Sequence, residues 1–280
     1  MKYFIIKELI DNLIYHIFNL LSECVFFFHF KIKKAIRINH RLKNIHEGQR
    51  CFILGAGPSL NNLTQDQIEK LRSEVVFAVN RTYKAKIAET VTPQYYFLMD
   101  NMFWQDTLRY IYLDIFKKYE TKPPVIFTSY QAKPVVEEMG IEKNIIFLYE
   151  KKFPVANHEY CIHKNTYISQ NVVITAIKAA MYMGFKEIYL LGCDYTGFIP
   201  KENNHCYIED VEETRRAETQ EESKYNYNLN LALFLESYAR ATKFHYLIAK
   251  YAEKNQIKII NITPGSLLDA YPRKRTSIVL

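Results

Sequence analysis

From residue 50 onward, short apolar segments alternate with segments of helical periodicity. Segments rich in β-branched or aromatic residues, as is typical of strands, cover 51–54, 75–79, 95–99, 125–127, 145–148, 187–191 and 258–260. Helical patterns lie between them, among others at 106–119, 131–139 and 171–183. Strand and helix alternating at this spacing predict βα units and a mostly parallel sheet in an α/β fold. Because ligands bind where the carboxyl ends of parallel strands open into loops, the sequence predicts a site at that edge.

The first of these strand ends is a glycine turn. The apolar run 51–54 is followed by Gly55, Ala56, Gly57, Pro58 and Ser59, and the two glycines allow the backbone to approach a ligand closely. Free N–H groups in such a turn can bind a phosphate, and Pro58 and Ser59 suit the first turn and cap of a following helix. The pattern predicts a nucleotide site on Gly55, Gly57, Pro58 and Ser59 in a Rossmann-like fold. An ordinary strand-to-loop turn is the alternative.

Polar residues follow three further strands. Asn80 follows the second predicted strand, Asp100 the third, and Asp194 and Tyr195 the sixth. Asn80 can read a base or ribose edge, and the two carboxylates can accept hydrogen bonds from sugar hydroxyls. Each can also be a turn-capping residue, since Asn and Asp are common in turns. Because four strand ends carry suitable groups, we expect them to converge on one ligand.

A second polar cluster precedes the helix predicted at 171–183. It includes Ser169, Gln170 and Asn171 within the segment 165–171. Its side chains and first-turn N–H groups offer a second position for a phosphate. Plain N-capping of the helix by Ser169 is the alternative. Both interpretations place a helix N-terminus at the open edge of the sheet.

The polar segment 196–228 is too long for a simple crossover and is typical of a lid over a site. It carries His205, an imidazole suited to a general base, and Tyr207, a phenol suited to donating a hydrogen bond to a phosphate. A single loop histidine is more commonly just solvated. The charged residues 209–222 are explained by a solvated helical face.

The first 45 residues differ from the rest of the chain. They hold eight Lys or Arg against three acidic residues, so +5 of the net charge of +7 lies here. An apolar run at 13–30, interrupted by His16, Asn19 and Glu23, precedes a basic cluster at 31–41, and it is neither a clean membrane span nor a secretory signal. The pattern favours an amphipathic helix on an anionic cytoplasmic leaflet, the alternative being packing on the protein's own body or in a homo-oligomer. We therefore predict this helix at 1–45 and an α/β domain at 46–280 with its lid at 196–228.

The cysteines, the charge distribution and the absence of two motifs indicate the compartment, partners and donor of the protein. Five cysteines are scattered without CxxC spacing, which fits a reduced, cytoplasmic protein. The basic charge is local, and we expect no nucleic-acid partner. The sequence has neither an Asp-x-Asp nor a Walker A motif. This favours a donor with a single phosphate, bound without a metal or other cofactor, over a kinase that must manage ATP with Mg²⁺.

Six segments together resemble the MptE-like family. They are 57–60, 78–81, 95–100, 183–194, 204–207 and 260–266. That family joins archaeal 6-hydroxymethylpterin pyrophosphokinases with many bacterial proteins of surface-glycan synthesis. The same order of motifs resembles bacterial CMP-sialic acid sialyltransferases of the Cst type. The resemblance covers the chain from the first strand to the last loop and implies a sialyltransferase-like variant of the GT-A fold.

The resemblance to sialyltransferases implies a metal-independent, inverting transfer of a sialic-acid-like sugar from a CMP-activated donor to a hydroxyl of a glycan or glycolipid acceptor. It assigns the nucleotide and donor to Asn80 and Asp100, and the departing phosphate to Tyr207, with Tyr195 as a weaker counterpart. The family's catalytic histidine falls near 239–240, where this chain has none. The role of general base for His205 therefore rests on its position in the lid.

These features together predict a glycosyltransferase of bacterial surface-glycan synthesis, such as capsule, O-antigen or lipooligosaccharide. We expect it to be cytoplasmic and peripheral to the inner membrane. A pterin-type diphosphokinase using ATP and Mg²⁺ is one alternative. The other is a non-catalytic nucleotide-binding module of a glycan-assembly complex.

Overall fold

The structure is a computed structural model that describes residues 2–105, 107–156, 159–199, 204–208, 210, 219 and 230–280. Within these residues seven strands form the main sheet: β1 (Arg50–Leu54), β2 (Val75–Val79), β3 (Tyr95–Leu98), β4 (Val125–Ser129), β5 (Ile145–Leu148), β8 (Glu187–Leu191) and β9 (Lys258–Asn261). A second sheet pairs β6 (Glu150–Lys152) with β7 (Thr166–Tyr167). The helices are α1 (Lys2–Phe28), α2 (Phe30–Arg37), α3 (Gln65–Leu71), α4 (Ile111–Lys118), α5 (Lys133–Met139), α6 (Val172–Tyr182), α7 (Leu231–Lys254) and α8 (Thr276–Val279).

The strand order of the main sheet is β5-β4-β3-β2-β1-β8-β9, and every neighbouring pair is parallel. The predicted α/β fold with a parallel sheet is confirmed. From β1 the chain adds strands in one direction as far as β5 and later places β8 and β9 on the other side of β1. The direction in which the chain adds strands therefore reverses between β1 and β8, and this point is called the reversal below. The strand ends Leu54 and Leu191 are in register there. In open α/β sheets, ligands bind in the crevice outside such a reversal.

Both faces of the sheet are covered by helices. In β1, Cys51 and Ile53 pack into a cluster that includes residues of α6 and α7, whereas Phe52 and Leu54 pack on the opposite face with residues of α3. Residues of α4 and α5 cover the same opposite face over β2, β3 and β4. Burial on both faces explains why these strands are continuous apolar runs and do not alternate between apolar and polar residues.

The N-terminal segment packs on the edge strand β5 and on β6. Asn39 is fully buried, and its amide Nδ2 donates to Phe147 O in β5 at 2.8 Å and to Ile162 O at 2.9 Å. Ile36 and Leu42 are also buried. The packing of the α/β body therefore extends to residues before the predicted boundary at residue 45.

Candidate functional site

The glycine turn after β1 pairs with the end of β8. Gly55 N donates to Leu191 O, and Gly57 N donates to Gly192 O, both at 2.8 Å. A Cβ at Gly55 would overlap Gly192 O, and a Cβ at Gly57 would lie 2.6 Å from the same oxygen. Glycine is therefore needed for the close approach of two strand ends at the reversal. The two N–H groups that the sequence offered to a phosphate are engaged by backbone carbonyls.

Asp194 is held over this turn by Ser59. The Ser59 hydroxyl donates to Asp194 Oδ2 at 2.7 Å, and Ser59 N donates to Oδ1 at 3.3 Å. The α-helix expected directly after the turn is instead a 3-10 helix, Pro58–Asn62, in which the Ser59 side chain makes no cap. Ser59 thus fixes the orientation of the Asp194 carboxylate, the group predicted to accept hydrogen bonds from sugar hydroxyls.

One part of the predicted lid contacts the glycine turn. Cys206 N donates to Ala56 O at 2.9 Å, and the rings of His205 and Tyr207 stack with centroids 5.0 Å apart. Tyr207 is buried in the same cluster as Leu54. The predicted base and phenol therefore lie next to the end of β1. Residues 200–203, 209, 211–218 and 220–228 of the predicted lid lie outside the described residues.

Asn80 lies at the end of β2 in a left-handed conformation, with φ of 51°. Asn80 N donates to Phe97 O at 3.0 Å, and Asn80 O accepts from the Tyr96 hydroxyl at 2.9 Å. The side-chain Oδ1 is buried and has no hydrogen-bond partner among the described residues. An unpaired buried carbonyl oxygen costs free energy that a ligand's donor would recover.

Asp100 at the end of β3 is exposed, and its Oδ1 accepts from Met102 N at 3.3 Å. It caps the short 3-10 helix Asn101–Trp104, as the turn-capping alternative predicted. The neighbouring Asn101 has a buried Oδ1 that lacks a partner within the described part of the chain. The sequence places Asn101 at the same strand end, although it was given no role in the predicted site.

A cleft of about 640 Å³ opens beside these strand ends. Its walls come from the ends of β3 and β4, from β6, from the segment before α6 and from the first turns of α7: Met99, Asp100, Asn101, Trp104, Ser129, Gln131, Glu150, Lys151, Ile168, Ser169, Gln170, Leu233, Phe234, Glu236, Ser237 and Arg240. Of the predicted site residues, Asp100, Ser169 and Gln170 line this cleft. Ser129 and Gln131 were missed, yet they lie at the carboxyl end of the fourth strand, where the same strand-end argument would have found them.

Glu150 organises the wall of the cleft formed by the segment before α6. Ser169 N donates to Glu150 Oε2 at 3.1 Å, and the Ser169 hydroxyl and Lys178 Nζ donate to Oε1 at 3.3 and 2.6 Å. Burial lowers the pKa of Lys178, and the Glu150 carboxylate opposes that shift. The N–H of Ser169 therefore faces a carboxylate and is not open to a phosphate. Asn171, not Ser169, caps α6, with Val173 N donating to Oδ1 at 2.8 Å.

Tyr195 and His245 form a buried cluster behind the end of β8. Tyr195 has a φ of 59°, and its ring packs edge-on against His245 at 5.4 Å. The hydroxyl of Tyr195 and Nε2 of His245 are buried and lack hydrogen-bond partners in the described part of the chain. Burial raises the pKa of Tyr195 and lowers the pKa of His245 to about 3. His245 is therefore too weak a base to accept a proton near neutral pH.

His163 lies away from the glycine turn. His163 bonds through Nδ1 to the Tyr182 hydroxyl at 2.7 Å and packs edge-on against His40 at 5.2 Å. His158 lies outside the described residues. His205 is thus the histidine that the described structure places at the glycine turn. Its role as a base stays a prediction.

The acidic groups around the site are dispersed. Asp194 bonds to Ser59 and Glu150 to Lys178, while Asp100 caps a turn. Within the described residues, no group of three or more His, Cys, Asp or Glu side chains is arranged to hold a metal ion. Metal-independent chemistry stays a prediction.

The family of the chain is shown by its sequence. A family model described as "6-hydroxymethylpterin diphosphokinase MptE-like" matches residues 28–197 of the 280. The chain belongs to the MptE-like family. This confirms the family resemblance inferred from the motifs. The match covers the glycine turn, Asn80, the cleft walls from β3 to β6, and Asp194.

Other comparisons add less about this MptE-like family member. No curated protein matches the chain. Its structure is similar to that of the MAf glycosyltransferase from Magnetospirillum magneticum AMB-1, with a TM-score of 0.49 and 14% sequence identity. That similarity covers 88% of this chain and 38% of the MAf chain, so the protein spans well under half the length of that neighbour.

Proposed function

We propose that the protein is a glycosyltransferase that takes its sugar from a CMP-activated donor and acts in bacterial surface-glycan synthesis. The observation that carries the proposal is Asn80, whose buried Oδ1 lacks a partner in the described structure at the middle of a row of strand ends. An amine or hydroxyl of a nucleoside would supply the missing donor. Neighbouring strands are about 4.8 Å apart, so the ends of β4, β3, β2 and β1 span roughly 15 Å, which suits an extended sugar nucleotide.

In this proposal the donor lies along the strand ends with its phosphate near the glycine turn. Asn80 and Asp100 hold the nucleotide, and Asp194, oriented by Ser59, accepts from a sugar hydroxyl. The nucleoside lies in the cleft, which Asp100 lines, and the acceptor approaches on the side of His205. His205 removes the proton of the acceptor hydroxyl as its oxygen attacks the anomeric carbon. The bond from that carbon to the phosphate oxygen breaks with inversion, and Tyr207 donates a hydrogen bond to the departing CMP.

The arrangement of acidic groups supports a donor that carries one phosphate. Asp194 and Glu150 are already bonded to Ser59 and Lys178, respectively. A donor with a diphosphate is usually held through a divalent metal on several oxygen ligands, and that requires carboxylates free to coordinate. A CMP-linked sugar needs less charge neutralisation.

A thermal-shift panel tests the proposal. We expect CMP, or a CMP-sugar, to raise the melting temperature in EDTA, while CDP, UDP, GDP and ATP have smaller effects. At a hundredfold excess over Kd, a ligand stabilises the folded state by about 2.7 kcal/mol, which a melting curve resolves. Stabilisation only by ATP with Mg²⁺ would instead support the diphosphokinase.

The diphosphokinase is the second candidate because the description of the family names that activity. It predicts formation of a pterin diphosphate and AMP from a hydroxymethylpterin, ATP and Mg²⁺. The third candidate, a non-catalytic nucleotide-binding module, predicts a thermal shift without turnover of any donor. Product analysis with each donor separates the three.

A further inference from the structure

The helix α1 is bonded to the protein through its polar side chains. Asn19 exchanges two hydrogen bonds with the backbone of Phe153, at 2.9 and 2.7 Å. The Ser22 hydroxyl donates to Lys151 O at 2.8 Å, and Glu23 pairs with Lys152 at 2.8 Å. The polar residues that interrupt the apolar sequence therefore form the contact with the body.

Most of the apolar side chains of α1 face away from the protein. Leu9, Leu13, Leu20 and Phe28 are 63–72% exposed. The stretch Ile6–Phe28 is long and apolar enough to cross a bilayer by length and composition, and very little of it is buried against the protein. A helix on the surface of a protein in water turns its apolar side toward the core and its polar side toward the solvent. In α1 the arrangement is the opposite.

The way α1 is bonded sets its orientation. Its contacts with the body extend from Tyr15, stacked on Phe153 at 4.7 Å, to Phe26, stacked on Tyr149 at 5.5 Å. This docked length is about 16 Å, or half of a bilayer's hydrocarbon core. If α1 crossed the bilayer, the Lys152–Glu23 pair beside it would be drawn into hydrocarbon, which is costly. An orientation in the plane of the membrane avoids this cost.

The segment after α1 supplies the matching charge. In and after α2, a set of basic side chains is exposed beside the exposed Phe28 and Phe30: Lys31, Lys34, Arg37, Arg41 and Lys43. Basic residues next to an apolar helix face are attracted to anionic lipid headgroups. A second copy of this chain would bring the same positive charges together, which disfavours a homodimer through this face.

We infer that α1 and α2 form an in-plane anchor in an anionic bilayer surface, with the polar side of α1 toward the protein and its apolar side in the lipid. The anchor also positions the cleft. Lys151 accepts the hydrogen bond from Ser22 through its backbone and lines the cleft. The cleft wall that Lys151 forms therefore lies beside the anchor. The location of the anchor does not depend on the reaction catalysed.

Vesicle co-sedimentation tests the anchor. We expect wild-type protein to bind phosphatidylcholine vesicles that contain phosphatidylglycerol, and to bind pure phosphatidylcholine vesicles much more weakly. The triple variant Lys31→Gln, Lys34→Gln, Arg37→Gln should lower the partition constant on anionic vesicles about a hundredfold. The double variant Leu13→Glu, Leu20→Glu should abolish binding. Leu113→Glu, at an exposed position of α4 on the opposite face of the sheet, is the matched control and should bind like wild type.

Depth measurements separate an in-plane helix from a spanning helix. Spin labels at Leu9→Cys, Leu13→Cys and Leu20→Cys, in a background with Cys24→Ser and Cys161→Ser, should report equal shallow depths in vesicles. Depths that progress through the bilayer centre would overturn the inference. A second outcome would also overturn it: wild-type protein that does not bind vesicles but self-associates through Leu13 and Leu20. Light scattering of wild type and of the Leu13→Glu, Leu20→Glu variant measures that self-association. Because no substrate is used, failure here leaves the proposed reaction untouched.

Discussion

Asn80 combines a left-handed backbone with a buried side-chain oxygen that has no partner in the described structure. Each feature has a cost: positive φ is unfavourable for most residues, and an unpaired buried carbonyl loses its hydrogen bonds to water. Such costs are common at ligand-binding positions, because the missing interaction is made with the ligand. Asparagine tolerates positive φ better than other residues with side chains, so one residue meets both demands.

Replacing Asn80 should therefore separate stability from binding. Asn80→Gly keeps the left-handed conformation and removes the unpaired oxygen, so we expect the free energy of unfolding to stay within about 1 kcal/mol of wild type. The CMP-induced thermal shift should fall strongly. Asn80→Ala removes the same oxygen but strains the backbone, and is expected to be less stable than Asn80→Gly. Thermal shifts of both variants with and without CMP are the measurement, and a full CMP shift in Asn80→Gly would remove Asn80 from the site.

Position 57 requires glycine for a steric reason. A Cβ there would lie 2.6 Å from Gly192 O and overlap the Asp194 carboxylate. We expect Gly57→Ala to lower the free energy of unfolding by about 3 kcal/mol through overpacking at the reversal, and to reduce nucleotide binding. Gly140→Ala is the matched control. Gly140 has φ of 66° but open space around it, so only conformational strain of about 1 kcal/mol is expected. Equal losses in urea unfolding would show that the turn moves aside freely.

His205 is predicted to move a proton, and its loss should appear in turnover. His205→Ala is expected to lower kcat by roughly 10²- to 10⁴-fold while leaving CMP affinity nearly unchanged. His163→Ala, which lies away from the glycine turn, is the control and should retain kcat. Steady-state kinetics with the natural acceptor and a thermal shift with CMP measure the two effects. If His205→Ala loses affinity and keeps kcat, the lid holds the donor and the base is another group.

At the scale of elements, α7 joins the cleft to a buried polar cluster. Its first turns line the cleft with Leu233, Phe234 and Arg240, and its middle buries His245 against Tyr195 and Tyr271. His245 Nδ1 and the Tyr271 hydroxyl are 2.8 Å apart. A histidine in this position ties the helix to the segment after β9 without carrying a charge.

This burial makes α7 sensitive to acid. The pKa of His245 is lowered by burial from 6.5 to about 3, so the unfolded chain binds a proton below pH 6.5 while the folded chain does not. Its contribution to stability is therefore complete above pH 6.5 and is lost as pH falls from 6.5 toward 3. Between pH 7.5 and pH 5 this amounts to about 2 kcal/mol.

Urea unfolding at the two pH values should show that loss in wild type and a smaller loss in His245→Gln. The glutamine amide can still bond to Tyr271 but does not titrate. His163→Gln is the comparison, because His163 is only half-buried, although burial lowers its pKa as well. An unchanged pH dependence in His245→Gln would assign the acid sensitivity to other groups.

At the scale of the whole molecule, the proposed anchor also packs on the body of the protein. Before residue 15, α1 exposes apolar side chains such as Leu9 and Leu13. Between Tyr15 and Leu42 the segment is bonded to β5, β6 and the loop before β7. The Asn39 amide donates to the backbone carbonyl of Phe147 in the edge strand β5. A strand edge whose backbone groups are bonded in this way is protected against pairing with other chains.

Two truncations should therefore behave differently. Removal of residues 2–14 is expected to weaken vesicle binding with little effect on the melting temperature. Removal of residues 1–45 deletes the buried Ile36 and Leu42 and both hydrogen bonds of Asn39, and should lower the free energy of unfolding by at least about 4 kcal/mol. Calorimetry and vesicle co-sedimentation of both proteins are the measurements. Equal melting temperatures for the two would show that the anchor is an independent unit.

The parallel sheet and the strand ends could be predicted from the sequence because their signals are local. A continuous apolar run that stops at Gly55 or Asn80 specifies a buried strand and its end within a few residues, and parallel strands must place those ends at one edge. The positions of Asn80, Asp100 and Asp194 at strand ends were predicted in this way, and their roles in a site stay predictions. The sequence also predicted that residues 1–45 differ in kind from the rest.

The partners of these residues were decided by the tertiary structure. Ser59 reaches Asp194 across 135 positions, and Asn19 reaches Phe153 across 134. The role of Ser169 depends on Glu150, which no local pattern connects to it. Hydrogen-bond and ion-pair partners follow from which elements meet in three dimensions. Periodicity reports only which side of an element is polar, and in α1 that side faces the protein and the apolar side faces out.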